Sequence, residues 1–167
     1  MAAGVTRIIE AYVRFLRVIL AALLGLLVIP VTLQIVARYT ELIPRYIWTE
    51  EAARFLFVWI IMIGATIAVR ERTHFDVDVL PKPRTPRAQA VGELVVDLAM
   101  LVVALVFVVY GWGYAAFGYT QTSELTGINL VAMHAAFFLA GVSWIVFIAE
   151  RSVPLLAALR GRPRRSR

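Results

Sequence analysis

Four stretches of the chain are apolar on every face. Residues 18–37 carry no formal charge, residues 55–69 carry none, residues 94–117 are interrupted only by Asp97, and residues 128–149 carry none. Three of them reach the ~20 residues that a helix needs to cross a ~30 Å hydrocarbon core. The second rises about 22 Å as a helix, so it draws the segment back to Trp48 into the membrane edge. Barrel strands alternate apolar and polar positions over about ten residues, which these runs do not do. Helices satisfy their own backbone, as lipid requires. The pattern predicts an all-α integral membrane protein with four transmembrane helices, over 18–37, 48–69, 94–117 and 128–149. They form one membrane domain, and 150–167 is a basic tail.

Composition agrees. Of 167 residues, 61% are hydrophobic and 17% charged, and the mean hydropathy is +0.80. Average soluble domains carry about 25% charged residues, so polar side chains are too few to cover a soluble fold. The net charge of +6 invites a nucleic-acid reading, but the distribution of charge opposes it. Arg7, Arg14 and Arg17 precede the first run, Arg70, Arg72, Lys82, Arg84 and Arg87 lie in the second connection, and Arg151, Arg160, Arg162, Arg164, Arg165 and Arg167 follow the last run. Only Arg38, Arg45 and Arg54 fall in the first connection, and the third has none. By the positive-inside rule both termini face the cytoplasm. Tyr39, Tyr46 and Trp48 at one boundary, with Tyr110, Trp112, Tyr114 and Tyr119 near the other, form the expected aromatic belt. No small-x-small cleavage site follows the first run, which therefore reads as a retained helix. The chain has no cysteine, which removes thiol chemistry and thiolate metal sites.

Chemistry-bearing residues gather in the connections. Pro44 stops the first helix, Thr49 is the expected N-cap of the second, and Glu50 and Glu51 occupy its first turn, where the dipole favours anions. Glu50 and Arg54 are spaced to pair. A sharper reading gives this acidic pair and Arg54 a docking role at the outer leaflet, because an ion pair at the membrane edge is costly unless protein covers it. His74, Asp76 and Asp78 alternate like a metal-ligand string, but no second His lies nearby. The favoured reading pairs these acids with Arg70 and Arg72. Within the spans, Gln34 follows Pro30 by one turn and is expected to bond across to another helix, while Asp97 is expected to form a salt bridge. His134 is alone in its span, which disfavours a bis-His haem. Close-packing pairs are Ala21 with Gly25, Gly64 with Ala68, Gly111 with Ala115 and Ala136 with Ala140. No cofactor or catalytic motif and no internal repeat stands out.

These residues carry a resemblance. Trp48-Thr49-Glu50-Glu51-Ala52-Ala53-Arg54, then Phe55 to Trp59, Gly64-Ala65, Arg70 and His74-Phe75-Asp76-Val77-Asp78 are similar to the small membrane subunit of tripartite ATP-independent periplasmic (TRAP) transporters, the DctQ-like family. The likeness extends to length and architecture, and more loosely to 121–128, where Glu124 stands in place of a frequent proline. The resemblance implies a non-catalytic subunit without a cofactor, in the bacterial inner membrane. Its implied partners are a large membrane subunit of roughly twelve helices and a periplasmic binding protein that delivers an organic acid. Uptake would be driven by sodium, with the small subunit bracing the scaffold. Trp48, Glu50, Glu51, Arg54, Trp59, Gly64, Arg70, His74, Asp76 and Asp78 would then be interface or structural positions. The rivals are an accessory subunit of another membrane complex, a stand-alone channel or exporter, and a membrane-embedded redox subunit.

Overall fold

A computed structural model describes residues 2–40, 44, 46–71, 86–124 and 126–159. It contains four helices, α1 (Ala2–Tyr39), α2 (Trp48–Glu71), α3 (Pro86–Tyr119) and α4 (Val131–Leu159). All four are long and apolar enough to cross a membrane. His74, Asp76 and Asp78 lie outside the described residues.

The helices are longer than the uncharged runs alone predict. The reason for α1 is a narrow apolar stripe. Ile9, Val13 and Leu16 recur at helical spacing and are buried, although Arg7, Arg14 and Arg17 interrupt the run around them. At 38 residues α1 is about 57 Å long and exceeds one bilayer core. Pro30 lies inside it without ending it. Pro86 opens α3, where its missing N–H costs nothing.

α3 packs on α4, α1 on α2, and α2 on α4. Neighbouring residues give the directions. Asp97 meets Arg151 at one end of the α3–α4 pair and Tyr114 meets His134 towards the other, so these helices are antiparallel. Trp59 reaches Ala132 while Arg70 reaches Glu150, so α2 and α4 are parallel. One end of the bundle therefore holds the start of α1, the end of α2, the start of α3 and the end of α4. Thr6 near the start of α1 bonds Glu150 near the end of α4.

The main buried cluster joins Ile9 and Val13 of α1, Val69 of α2, Met100 and Ala104 of α3, and Ala140, Trp144, Phe147 and Ile148 of α4. A second joins Leu16 to Ile63 and Ile67. Glycine sets the α3–α4 approach. A Cβ on Gly111 would sit 2.9 Å from the Phe138 backbone nitrogen, and one on Gly141 would sit 2.9 Å from the Phe107 Cβ. Of the small-residue pairs, Gly111 and the buried Ala136 and Ala140 serve close packing. Gly25 and Gly64 face open space.

Candidate functional site

Charged groups sit at both ends of the bundle, and the two ends treat them differently. At the end holding the chain termini, Glu71, Asp97 and Glu150 each find a base on another helix. Arg70 Nη1 donates to Glu150 Oε2 at 2.5 Å, and its guanidinium lies 5.8 Å from the Phe147 ring centre. Thr6 Oγ1 donates to the other Glu150 oxygen at 3.0 Å. Arg151 Nε donates to Asp97 Oδ2 at 3.0 Å, and its Nη2 pairs with the other oxygen. Asp97 is only 3% exposed, so this two-point pairing satisfies a carboxylate that would otherwise be buried at high cost. Arg17 pairs with Glu71. The salt bridge expected of Asp97 is thus present. Arg70 turns inward to Glu150, where two helix ends converge; the acids of the following connection that it was expected to hold lie outside the described residues.

Between the ends, hydrogen bonds tie α2 to α4. Trp144 Nε1 donates to Thr66 Oγ1 at 3.1 Å, and Thr66 in turn donates to the Met62 carbonyl. Trp59 Nε1 donates to the Ala132 carbonyl at 2.8 Å. His134 is buried, stacks on the Tyr114 ring, and donates from Nδ1 to the Tyr114 carbonyl at 3.0 Å. Gly118 leaves room for that imidazole, since any Cβ there would collide with Nδ1. A lone histidine in a span gave no sign of this packing role, although Gly118 at the same membrane level was a readable clue.

The opposite end is less complete. Thr49 is buried but does not cap α2 by accepting a backbone N–H; its hydroxyl donates to the Tyr46 carbonyl at 2.7 Å, because the helix already begins at Trp48. The cap that sequence reading missed is Asn129, whose Oδ1 accepts from the Val131 N–H at 2.9 Å and starts α4. Gly127, with φ of 68°, turns the chain just before it. Glu51 turns toward the Ser123 hydroxyl and toward the hydroxyl and N–H of Thr126 in the α3–α4 connection, but its Oε2 is buried with no hydrogen-bond partner among the described residues. Gln34, expected to bond another helix, has a buried Nε2 in the same condition. Glu50 and Arg54 do not pair; the Arg54 charge acts on Glu51 instead. Trp48 is exposed and tilts against Tyr46 at 6.4 Å between ring centres.

Chemically, this arrangement fastens helices and leaves two buried polar atoms without partners among the described residues at one end of the bundle. Among the described residues, no three His, Asp or Glu converge as metal ligands do. Comparison with known proteins fits that picture. Residues 26–158 match the family model of the DctQ component of tripartite ATP-independent periplasmic transporters. A putative TRAP transporter small permease protein of Haemophilus influenzae is 28% identical over 127 residues, which cover 76% of this chain and 78% of that protein. The sialic acid TRAP transporter small permease protein SiaQ of Vibrio cholerae is 27% identical over 143 residues, covering 86% and 80% respectively. The sialic acid TRAP transporter permease protein SiaT of Haemophilus influenzae is 32% identical over 65 residues, 39% of this chain but only 11% of that protein. With four membrane helices and a family match over most of its length, the chain belongs to the DctQ family, the small permease components of TRAP transporters.

Proposed function

We propose that this subunit is a non-catalytic brace for a large membrane permease subunit in a sodium-driven transporter that takes up an organic acid. A separate periplasmic binding protein would deliver the acid. The observation that carries the bracing role is the contrast between the ends of the bundle. Its ion pairs join helix to helix at one end, while Glu51 at the other keeps a buried carboxylate oxygen without a partner among the described residues. A buried polar atom without a partner is costly, and more so at a membrane edge. A second protein that supplies the missing groups removes that cost.

The likeness of part of this chain to a much larger permease supports a large membrane partner, and the sialic acid named for two relatives supports an acidic substrate. The basic flanks favour an orientation with both termini in the cytoplasm. On this reading Glu51 and Arg54 face the partner near the periplasmic surface, with Trp48 and Trp59 as packing anchors. Gly64 lies on a surface open to a neighbouring helix, and Arg70 fixes the cytoplasmic end. His74, Asp76 and Asp78 order the second connection. Co-expression with a large TRAP permease subunit, followed by size-exclusion chromatography, tests the idea. One stable complex is expected, with a lower yield of the chain when it is expressed alone. A monodisperse chain that never co-elutes with that permease contradicts it.

A further inference from the structure

We infer that the cleft between the outer ends of α1 and α2 is a binding site for the headgroup of an aminophospholipid. The cleft has a volume of about 450 Å³ and is lined by Leu33, Gln34, Ala37, Arg38, Tyr46, Ile47, Thr49 and Glu50. It lies where both membrane-spanning helices end. Three of its residues have unused polar capacity. Arg38, in the last turn of α1, and Glu50, in the first turn of α2, are both exposed. Neither forms an ion pair, with the other or with any described residue. Gln34 Nε2 is a buried donor with no acceptor.

Among the described residues, one cation, one anion and one amide donor around a single cleft suit a zwitterion. A phosphate on Arg38 and a primary ammonium on Glu50 make two charge-assisted hydrogen bonds. Gln34 precedes Arg38 by one turn on the same helix face, so it lies about 6 Å deeper. The polar zone of each leaflet is about 5–7 Å deep. An amide at that depth is level with the ester carbonyls that join headgroup to acyl chains, and rotation of the Gln34 side chain into the cleft gives Nε2 the acceptor it lacks. Leu33, Ala37 and Ile47 supply an apolar wall for the start of the chains. The ring of Tyr46 lies at the level where aromatic side chains favour the membrane surface. A soluble phosphoethanolamine has the charges but nothing for the apolar wall or the deep donor, so the lipid is the source to which the site is suited.

The test is native mass spectrometry of the delipidated full chain in detergent, titrated with phosphatidylethanolamine, phosphatidylglycerol or phosphatidylcholine. One phosphatidylethanolamine is expected to stay bound per chain at concentrations about tenfold below those needed for the other two lipids. Glu50→Gln should lower its retention about tenfold and leave phosphatidylglycerol retention unchanged. Arg38→Gln should weaken all three phospholipids. Gln34→Leu, which removes a buried donor and so cannot unfold the chain by leaving one unpaired, should also lower retention. Circular dichroism checks that each variant stays helical. Equal retention of the three lipids, or full retention in helical Glu50→Gln and Gln34→Leu variants, overturns the inference. Displacement by soluble phosphoethanolamine at comparable concentration also overturns it. Because this measurement uses the chain without its permease, its failure leaves the bracing role standing, and failure of that role leaves the lipid site standing.

Discussion

The two ends of the bundle are built from similar residues and engage them to different degrees. At the terminal end, Arg70, Glu150, Asp97, Arg151, Arg17 and Glu71 are all engaged in ion pairs within the chain. At the other end, Arg38, Glu50 and Arg54 form no ion pair with any described residue, and Glu51 and Gln34 each keep one buried atom without a hydrogen bond. The same side-chain chemistry therefore serves internal fastening at one end and is held available at the other. Charge in a membrane protein gives stability only where geometry completes it. Where geometry leaves it incomplete, the buried polar atom costs free energy until another group reaches it.

Breaking the fastened end should give the largest effect. Arg151→Leu leaves the Asp97 carboxylate buried and unpaired, and about 3–5 kcal/mol of stability should be lost. Adding Asp97→Leu should recover most of that, and thermal unfolding in detergent measures both. Gly111→Ala should cost about 1–3 kcal/mol by pushing α3 off the Phe138 backbone, which lowers the midpoint in the same assay. Thr66→Val removes the acceptor for Trp144 Nε1 and should cost about 0.6–2 kcal/mol, with a changed tryptophan emission as a second readout. The smallest effect belongs to the open end. Gln34→Leu should leave the stability of the isolated chain unchanged or raise it by about 1 kcal/mol, because the donor it removes is buried without a partner. A loss as large as that of Thr66→Val would erase the distinction between the ends.

Much of this was readable in the sequence. The number of spanning helices followed from four apolar runs, and the start of α2 at Trp48 followed from a short run that needed extending. The salt bridge of Asp97 followed from a lone acid near a basic flank. The readable part was whatever one-dimensional hydropathy and charge encode. What escaped depends on which helices become neighbours. The inward turn of Arg70 requires α2 and α4 to be parallel, which nothing local in Arg70-Glu71-Arg72 reveals. The extra turns of α1 rest on Ile9 and Val13 finding Trp144 and Phe147, a contact across more than a hundred residues. Pairing Glu50 with Arg54 by spacing failed because Glu51, on the bundle side of the same turn, draws the nearby polar groups. Among the proposed interface positions, the structure brings Glu51 and Arg54 to one end with Trp48 and Glu50, and separates them from Arg70 by the full length of α2.

The central claim is that the open end is completed by another subunit and not by the chain itself. Glu51→Gln tests it most directly, because the amide keeps the shape and some hydrogen bonds of the carboxylate while losing its charge. The full chain carrying this substitution is co-expressed with the large permease, and its co-elution, substrate uptake and unfolding midpoint alone are compared with those of the unsubstituted chain. The account predicts an unfolding midpoint close to the original, with reduced co-elution and reduced uptake. Normal co-elution together with normal uptake would contradict it.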